Sequence, residues 1–270
     1  MAITAKEVMS LRQRTGLGMM ECKKALAESA GDVEEAIKLL VERVGGKIDQ
    51  RTAEAAEGLV AAVVSDGAVA MTELRSETDF AARNDMFVEG ARKIAQLALA
   101  GPDGQQEPTD AMQQVVTDLR LSIKENISVG RVVRISGPKV GHYVHHTGKM
   151  GAAVAGEGDL SDDLLRGICQ HLSAADGKGA LAQPLAVDSD SLPADRLEEA
   201  RSTAVAEAEA AGKPPEIAEK IVEGKLRKWT NDHTLLGQIY VREMDAKKPI
   251  RDYIPDGAKL VAFTRFEVGG

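Results

Sequence analysis

His142, His145 and His146, in "GHYVHHTGK", are the side chains of this sequence best suited to holding a metal ion. The segment is expected to form a strand, on which successive residues alternate faces, so His145 and His146 should point apart. His142 and His146 share a face but lie ~13 Å apart along it, too far for one ion. The expectation is therefore an exposed strand with one contact histidine and no metal site.

Phosphate chemistry fares no better. Gly141 precedes Gly148-Lys149 by two residues too many for a phosphate-cradling loop, and Met150 stands where Ser or Thr would hold magnesium. "GLGMME" fails the dinucleotide pattern, so the chain is not expected to bind a nucleotide or other cofactor by itself. Neither a Gly-x-Ser-x-Gly elbow nor a Cys-His signature is present for acyl transfer. The pairs Asp162-Asp163 and Glu198-Glu199, and the basic runs "ECKK", "KLRKW" and "DAKK", read as solvated helix or loop residues. With enzyme chemistry unsupported, the expected class is a binding protein.

Composition narrows the partner. The net charge is -8, and an acidic whole argues against nucleic acid, whose phosphates call for a basic surface. Cys22 and Cys169 lie far apart in no metal or redox pattern, which makes them buried thiols suited to a reducing compartment. "MAITAKEVMS" lacks a signal peptide's basic start and apolar run, and no stretch reaches the ~20 apolar residues of a membrane span. A cytoplasmic location is expected.

The elements that must position any contact surface follow from periodicity. Residues 1–46 read as three short helices, with capping boxes at Thr4–Glu7 and Asp32–Glu35, and with Gly45-Gly46 closing the third. A polar, Ala-rich linker spans 47–57. "LVAAVVS" and "AVAMTELRS" flank Asp66-Gly67 as a hairpin, two helices follow, and "VGRVVRISG" is a strand, giving β-β-α-α-β over 58–139. A similar order returns over 140–270: a strand pair, a helix near 160–175, and a closing strand at "KLVAFTRFEVGG". Between them, at about 194–232, two helices turned by "GKPP" carry small residues such as Ala204 and Ala208 and form an antiparallel hairpin arm.

One residue fits none of these periods. Phe80, one of four Phe, follows Arg75-Ser-Glu-Thr-Asp79 after the strand has ended and precedes Asn84, the expected cap of the next helix. Spacing alone leaves two readings open. Either Phe80 folds back as a staple beneath the helix start, or it protrudes with Asp79 beside it as an anchor for a partner's pocket.

Taken together, "LRQRTGLGMMECKKALAESAGDVEEAI", "ETDF", "IKENISVGRVVRI", "GKPPEIAEKIVEGKLRKW" and "FTRFEVG" resemble, in order, segments of the bacterial translation elongation factor Ts family. The resemblance spans essentially the whole chain. It implies an α+β fold: an N-terminal three-helix ubiquitin-associated-like domain, then a core of two related subdomains with antiparallel sheets and a helical hairpin arm. It implies a guanine-nucleotide exchange factor for the GTPase elongation factor Tu, acting by protein contact and not as an enzyme. Thr78, Asp79, Phe80 and Ala81 match the turn that intrudes near the GTPase's magnesium and so speeds GDP release. Arg12, Met19, Met20, Lys23, Ile123, Asn126, His145 and Val241 match further partner contacts. The readings this must displace are a non-catalytic scaffold and an RNA-associated adaptor.

The sequence also departs from the family. Ala81 replaces a larger aliphatic residue, Lys124 a Gly of the contact loop, and Ile239 a Pro; Arg242 sits in a stretch that is often apolar. "HLSAADGKGALAQPLAV" diverges strongly, and members often carry a further helix past the position of Gly270.

Overall fold

The computed structural model describes residues 3–49, 54–175, 177, 181–212 and 214–270. Part of the expected linker (50–53), part of the divergent stretch (176 and 178–180) and Lys213 in the arm's turn lie outside the described residues.

Three helices open the chain: α1 (Ala5–Thr15), α2 (Met19–Glu28) and α3 (Val33–Asp49). Thr4 and Glu7 form the expected reciprocal cap of α1, and the Glu35 N–H donates to Asp32 Oδ1 at 3.0 Å at the start of α3. Val8, Leu11, Cys22, Leu26, Ala36 and Leu40 close a small core, which also takes in Leu121 from a later helix. The expected stop at Gly45-Gly46 is not where α3 ends. Neither glycine takes a positive φ, and the helix continues through both to Asp49. Glycine inside a helix costs only ~1 kcal/mol, and with Val41 and Val44 packed on this core the preceding turns hold the axis.

The remainder is built on two antiparallel sheets. The first contains β1 (Glu57–Ser65), β2 (Ala68–Ser76), β3 (Gly104–Gln105) and β4 (Ser128–Ser136), in the order β1-β2-β4-β3. Asp66 and Gly67 both have positive φ, 44° and 72°, which is the tight turn that their Asp-Gly sequence encodes. The one-turn helix α4 (Asp79–Ala82), then α5 (Asp85–Ala98) and α6 (Asp110–Ile123), lie between β2 and β4. The second sheet, in the order β5-β6-β7, contains β5 (Lys139–Val144), β6 (Met150–Glu157) and β7 (Lys259–Glu267). Helix α7 (Asp162–Ala174) and the arm helices α8 (Ala194–Ala210) and α9 (Pro215–His233) separate β6 from β7.

Alternation along β2 explains how the layers stack. Ala70 and Leu74 face Phe87, Ala91 and Ile94 of α5 and Met112 and Val116 of α6. Val69 and Met71, on the opposite face, pack with Ala153, Ala155 and Phe266 of the second sheet. The outer face of that sheet carries Ala152 and Val154 beneath Leu165, Ile168 and Leu172 of α7. The order is helices, sheet, sheet, helix, and Gly151 permits the close approach of the two sheets. A Cβ there would sit 3.0 Å from both Met71 and Val60 side chains. Both cysteines are buried thiols, and burial pushes Cys169 up to about 12.

The arm is thin. Ala204 and Ala208 are its only buried residues on α8, α9 buries none among the described residues, and Glu207 pairs with Lys225 across it. Among the described residues, no helix is long and apolar enough to cross a membrane.

Candidate protein-contact site

The chain leaves β2 at Ser76 and reaches α4 through Thr78. The Thr78 backbone is extended (φ -125°, ψ 153°), and its Oγ1 accepts from the Ala81 N–H at 3.2 Å, capping the turn. A helical turn rotates successive residues by about 100°, so burying Ala81 and Ala82 points the residue before them outward. Phe80 is 82% exposed, the most exposed of the large apolar side chains described. The staple reading is thereby excluded: the buried face of α5 is filled by Phe87, Ala91 and Ile94, with no share for Phe80.

Asp79 forms an ion pair with Arg83 at 3.1 Å, one turn on. Arg83 is mostly solvated, and such pairs contribute about 0–1 kcal/mol, so the carboxylate is readily given up to another partner. The turn is braced from the loop that follows α6. Glu125 accepts the Thr78 N–H at 3.1 Å and the Thr78 hydroxyl at 2.7 Å. In return the Asn126 N–H donates to Glu77 Oε1 at 2.8 Å, and Ser76 Oγ donates to the Thr78 carbonyl at 2.9 Å. Sequence reading missed Glu77 and Glu125, because a carboxylate in a loop carries no mark of the residue it meets.

Asp79 lines a cleft of about 1050 Å³ together with Arg83 and Arg92 on one side and His142, His145 and Lys149 on the other. His145 thus joins the Asp79 turn, but not as the strand expectation had it. Strand β5 ends at Val144, so His145 and His146 lie in the following turn, where alternation no longer applies. Their rings do not point apart; the centroids are 4.1 Å from each other. The Thr147 hydroxyl lies 2.9 Å from His145 Nδ1, and the Thr147 N–H approaches the same nitrogen at 3.4 Å. Among the described residues no group of three or more His, Cys, Asp or Glu is arranged to hold a metal ion.

The other predicted residues fall into two places. Arg12, Met19, Met20 and Lys23 are exposed on α1 and α2, with Met20 at 75%. Glu21 of α2 lies 3.8 Å from Lys124, beside Ile123 and Asn126, so the start of α2 adjoins the loop that braces the Phe80 turn. Val241 stands apart. It lines a second cleft of about 870 Å³, between the base of α9 and the 3-10 segment Val241–Ala246. Its N–H donates to Nδ1 of the buried His171 at 3.2 Å.

Two departures acquire structural content. Lys124 is the C-cap of α6 with φ 63°, a left-handed conformation that glycine adopts at no steric cost. Arg242 is held by both carboxylate oxygens of Asp163 and by Gln170, so its guanidinium is engaged within the fold.

Comparison with known proteins gives the family. The family model described as elongation factor TS matches residues 77–270, from the brace residue Glu77 through the closing strand. The chain belongs to the elongation factor Ts family. Elongation factor Ts of Thioalkalivibrio sulfidiphilus is 37% identical over 283 aligned residues, covering the whole of this chain and 93% of the relative. That of Alkalilimnicola ehrlichii is 38% identical, again across the whole chain and 93% of the relative. Elongation factor Ts of Vibrio vulnificus is also 38% identical, with 92% of its length covered. Membership places the chain among translation elongation factors. The family match contains the Thr78–Ala81 turn, Ile123, Asn126, His145 and Val241; Arg12, Met19, Met20 and Lys23 precede it and fall within the full-length relatives.

Proposed function

We propose that this chain binds elongation factor Tu loaded with GDP and promotes GDP release, so that GTP can load, with no covalent step of its own. The observation that carries the reading is Phe80, presented to solvent on a capped and braced turn with Asp79 beside it. A rigid aromatic already held in place loses little conformational freedom on insertion, which suits it to wedge between packed helices of a partner.

Asp79 would then act on the groups that hold water on the GTPase's magnesium ion. That ion is the largest positive charge on the bound phosphates, and its dislocation weakens nucleotide affinity directly. Coupling of this kind is reciprocal, so incoming nucleotide must in turn weaken the grip of the factor. Met19, Met20 and Lys23 at the start of α2, Ile123 and Asn126 at the end of α6, and His145 across the cleft supply the docking surface. Val241 meets a separate part of the partner, and Thr78 and Ala81 shape the intruding turn. On this reading residues 1–46 form the ubiquitin-associated-like domain, the two sheets with their helices are related subdomains, and the chain works in the cytoplasm.

The decisive experiment loads elongation factor Tu with fluorescent GDP and follows its release after adding this chain and excess unlabelled nucleotide. Release accelerated many-fold supports the proposal. Formation of a complex that releases GDP only at the spontaneous rate makes the chain a scaffold and overturns it.

A further inference from the structure

We propose that Glu125 is a positioning residue for the intruding turn, setting the orientation of Phe80 and Asp79 without touching the partner's nucleotide site; this rests on the exchange reading above. The need for such a residue follows from the turn's length. Four residues, Asp79–Ala82, are too few for a helix to be stable alone, because the first turn fixes several dihedrals for a single hydrogen bond. Burial contributes little, since the inward side chains are those of Ala81 and Ala82 and Phe80 buries almost nothing. Order in this turn must therefore come from hydrogen bonds at its start.

Those bonds converge on Thr78, and Glu125 decides how they are arranged. A hydroxyl has one hydrogen. Here it is given to Glu125 Oε1 at 2.7 Å, the short distance of a charge-assisted bond. With that hydrogen committed, a lone pair of Oγ1 faces the Ala81 N–H and caps the turn. The second carboxylate oxygen takes the Thr78 N–H at 3.1 Å, so one side chain fixes both the backbone and the rotamer of the cap. Lys124, by breaking α6 in the left-handed conformation, turns the chain so that Glu125 reaches back toward β2. Glu77 and the Asn126 N–H close the same junction in the opposite sense.

The test has two arms. In the free chain, hydrogen exchange at the Ala81 and Thr78 amides should accelerate at least about fivefold in Glu125→Ala, with β2 amides unchanged. Glu125→Gln keeps one acceptor oxygen and should fall between wild type and Glu125→Ala, which guards against a variant that merely folds badly. In the GDP-release assay, Glu125→Ala should lower the rate at saturating factor about tenfold while leaving the half-saturating concentration within about twofold, since docking relies on other residues.

An unchanged Ala81 amide overturns the brace. A faster Ala81 amide with an unchanged saturating rate overturns its positioning role. If wild type itself fails to speed release, the exchange reading falls, and the amide arm still decides whether Glu125 orders the turn.

Discussion

Asp79 and His145 line one cleft, the first from the turn after β2 and the second from the turn between β5 and β6. The two sheets are locked face to face by Val69, Met71, Ala153 and Phe266, so the spacing between these two residues is fixed by a buried core. A partner element entering the cleft meets a preset geometry. Phe80→Ala and Asp79→Ala should each slow GDP release about tenfold or more, as hot-spot truncations do. Both side chains lie outside the core, so melting should move by no more than about 2 °C. Exchange assays and calorimetry on the same preparations check this. A drop of several degrees in Phe80→Ala would mean that the ring supports the fold.

Lys124 and Glu125 act in sequence at the end of α6, and the first pays a conformational cost. Its φ of 63° disfavours any residue with a Cβ, by about 1–2 kcal/mol, while glycine would lose some of that gain to its freer unfolded state. Lys124→Gly should therefore raise stability by about 0.5–1 kcal/mol, despite the loss of the long, solvated contact with Glu21. Denaturant unfolding measures the difference directly. A lower midpoint with an unchanged slope would show that the Lys124 side chain outweighs its backbone strain.

Much of the fold was legible because its signals are local. The Thr4–Glu7 cap, the Asp66-Gly67 turn and the arm's Ala204 and Ala208 all declare themselves within a few residues. Phe80 declared itself only as a misfit, since spacing could not say whether it turned in or out; that depended on Ala81 and Ala82 finding cover. The brace from Glu125 to Thr78 was invisible for the opposite reason, because it joins residues far apart in sequence across two elements. His145 and His146 were misjudged by one strand boundary. Ending β5 at Val144 changes two opposed side chains into neighbours, so a face assignment is only as good as the last residue of its strand.

His171 makes the Val241 segment sensitive to acid. Burial lowers its pKa below the usual 6.5, although the hydrogen bond to Gln238 at 2.8 Å opposes that shift. Its Nδ1 accepts from the Val241 N–H, so the folded ring is neutral with its proton on Nε2. Below pH 6.5 the unfolded chain takes up a proton that the folded chain resists. Stability from this group is complete above that pH and is lost as pH falls toward the folded value, by at most about 1.4 kcal/mol per pH unit. Chemical denaturation between about pH 7.5 and about pH 5.5 should show this slope in wild type and a shallower one in His171→Gln. Equal slopes in the two proteins would remove His171 as the cause.

Glu73 is the acid-labile tie between the sheets. Its side chain is wholly buried at the irregularity of β2 between Thr72 and Leu74, and it accepts from Arg75 at 2.7 Å, Arg131 at 2.8 Å and the Gly269 N–H at 3.0 Å. Arg131 continues to the Glu267 carbonyl of β7 at 2.8 Å and stacks 4.5 Å from the centre of the Phe266 ring. Burial alone would raise the pKa of Glu73, but the bonds from Arg75, Gly269 and Arg131 outweigh it and hold the carboxyl below its usual 4.5. A depressed carboxylate contributes stability that is complete above the unfolded value and is lost as pH falls through the folded one, hence below about pH 4.5. Glu73→Gln should cost about 2–4 kcal/mol at neutral pH, because it leaves Arg131 and Arg75 without their charge partner. The same variant should lose part of the wild-type decline in melting temperature below pH 4.5. Parallel decline in both proteins would show that other carboxylates set the acid limit.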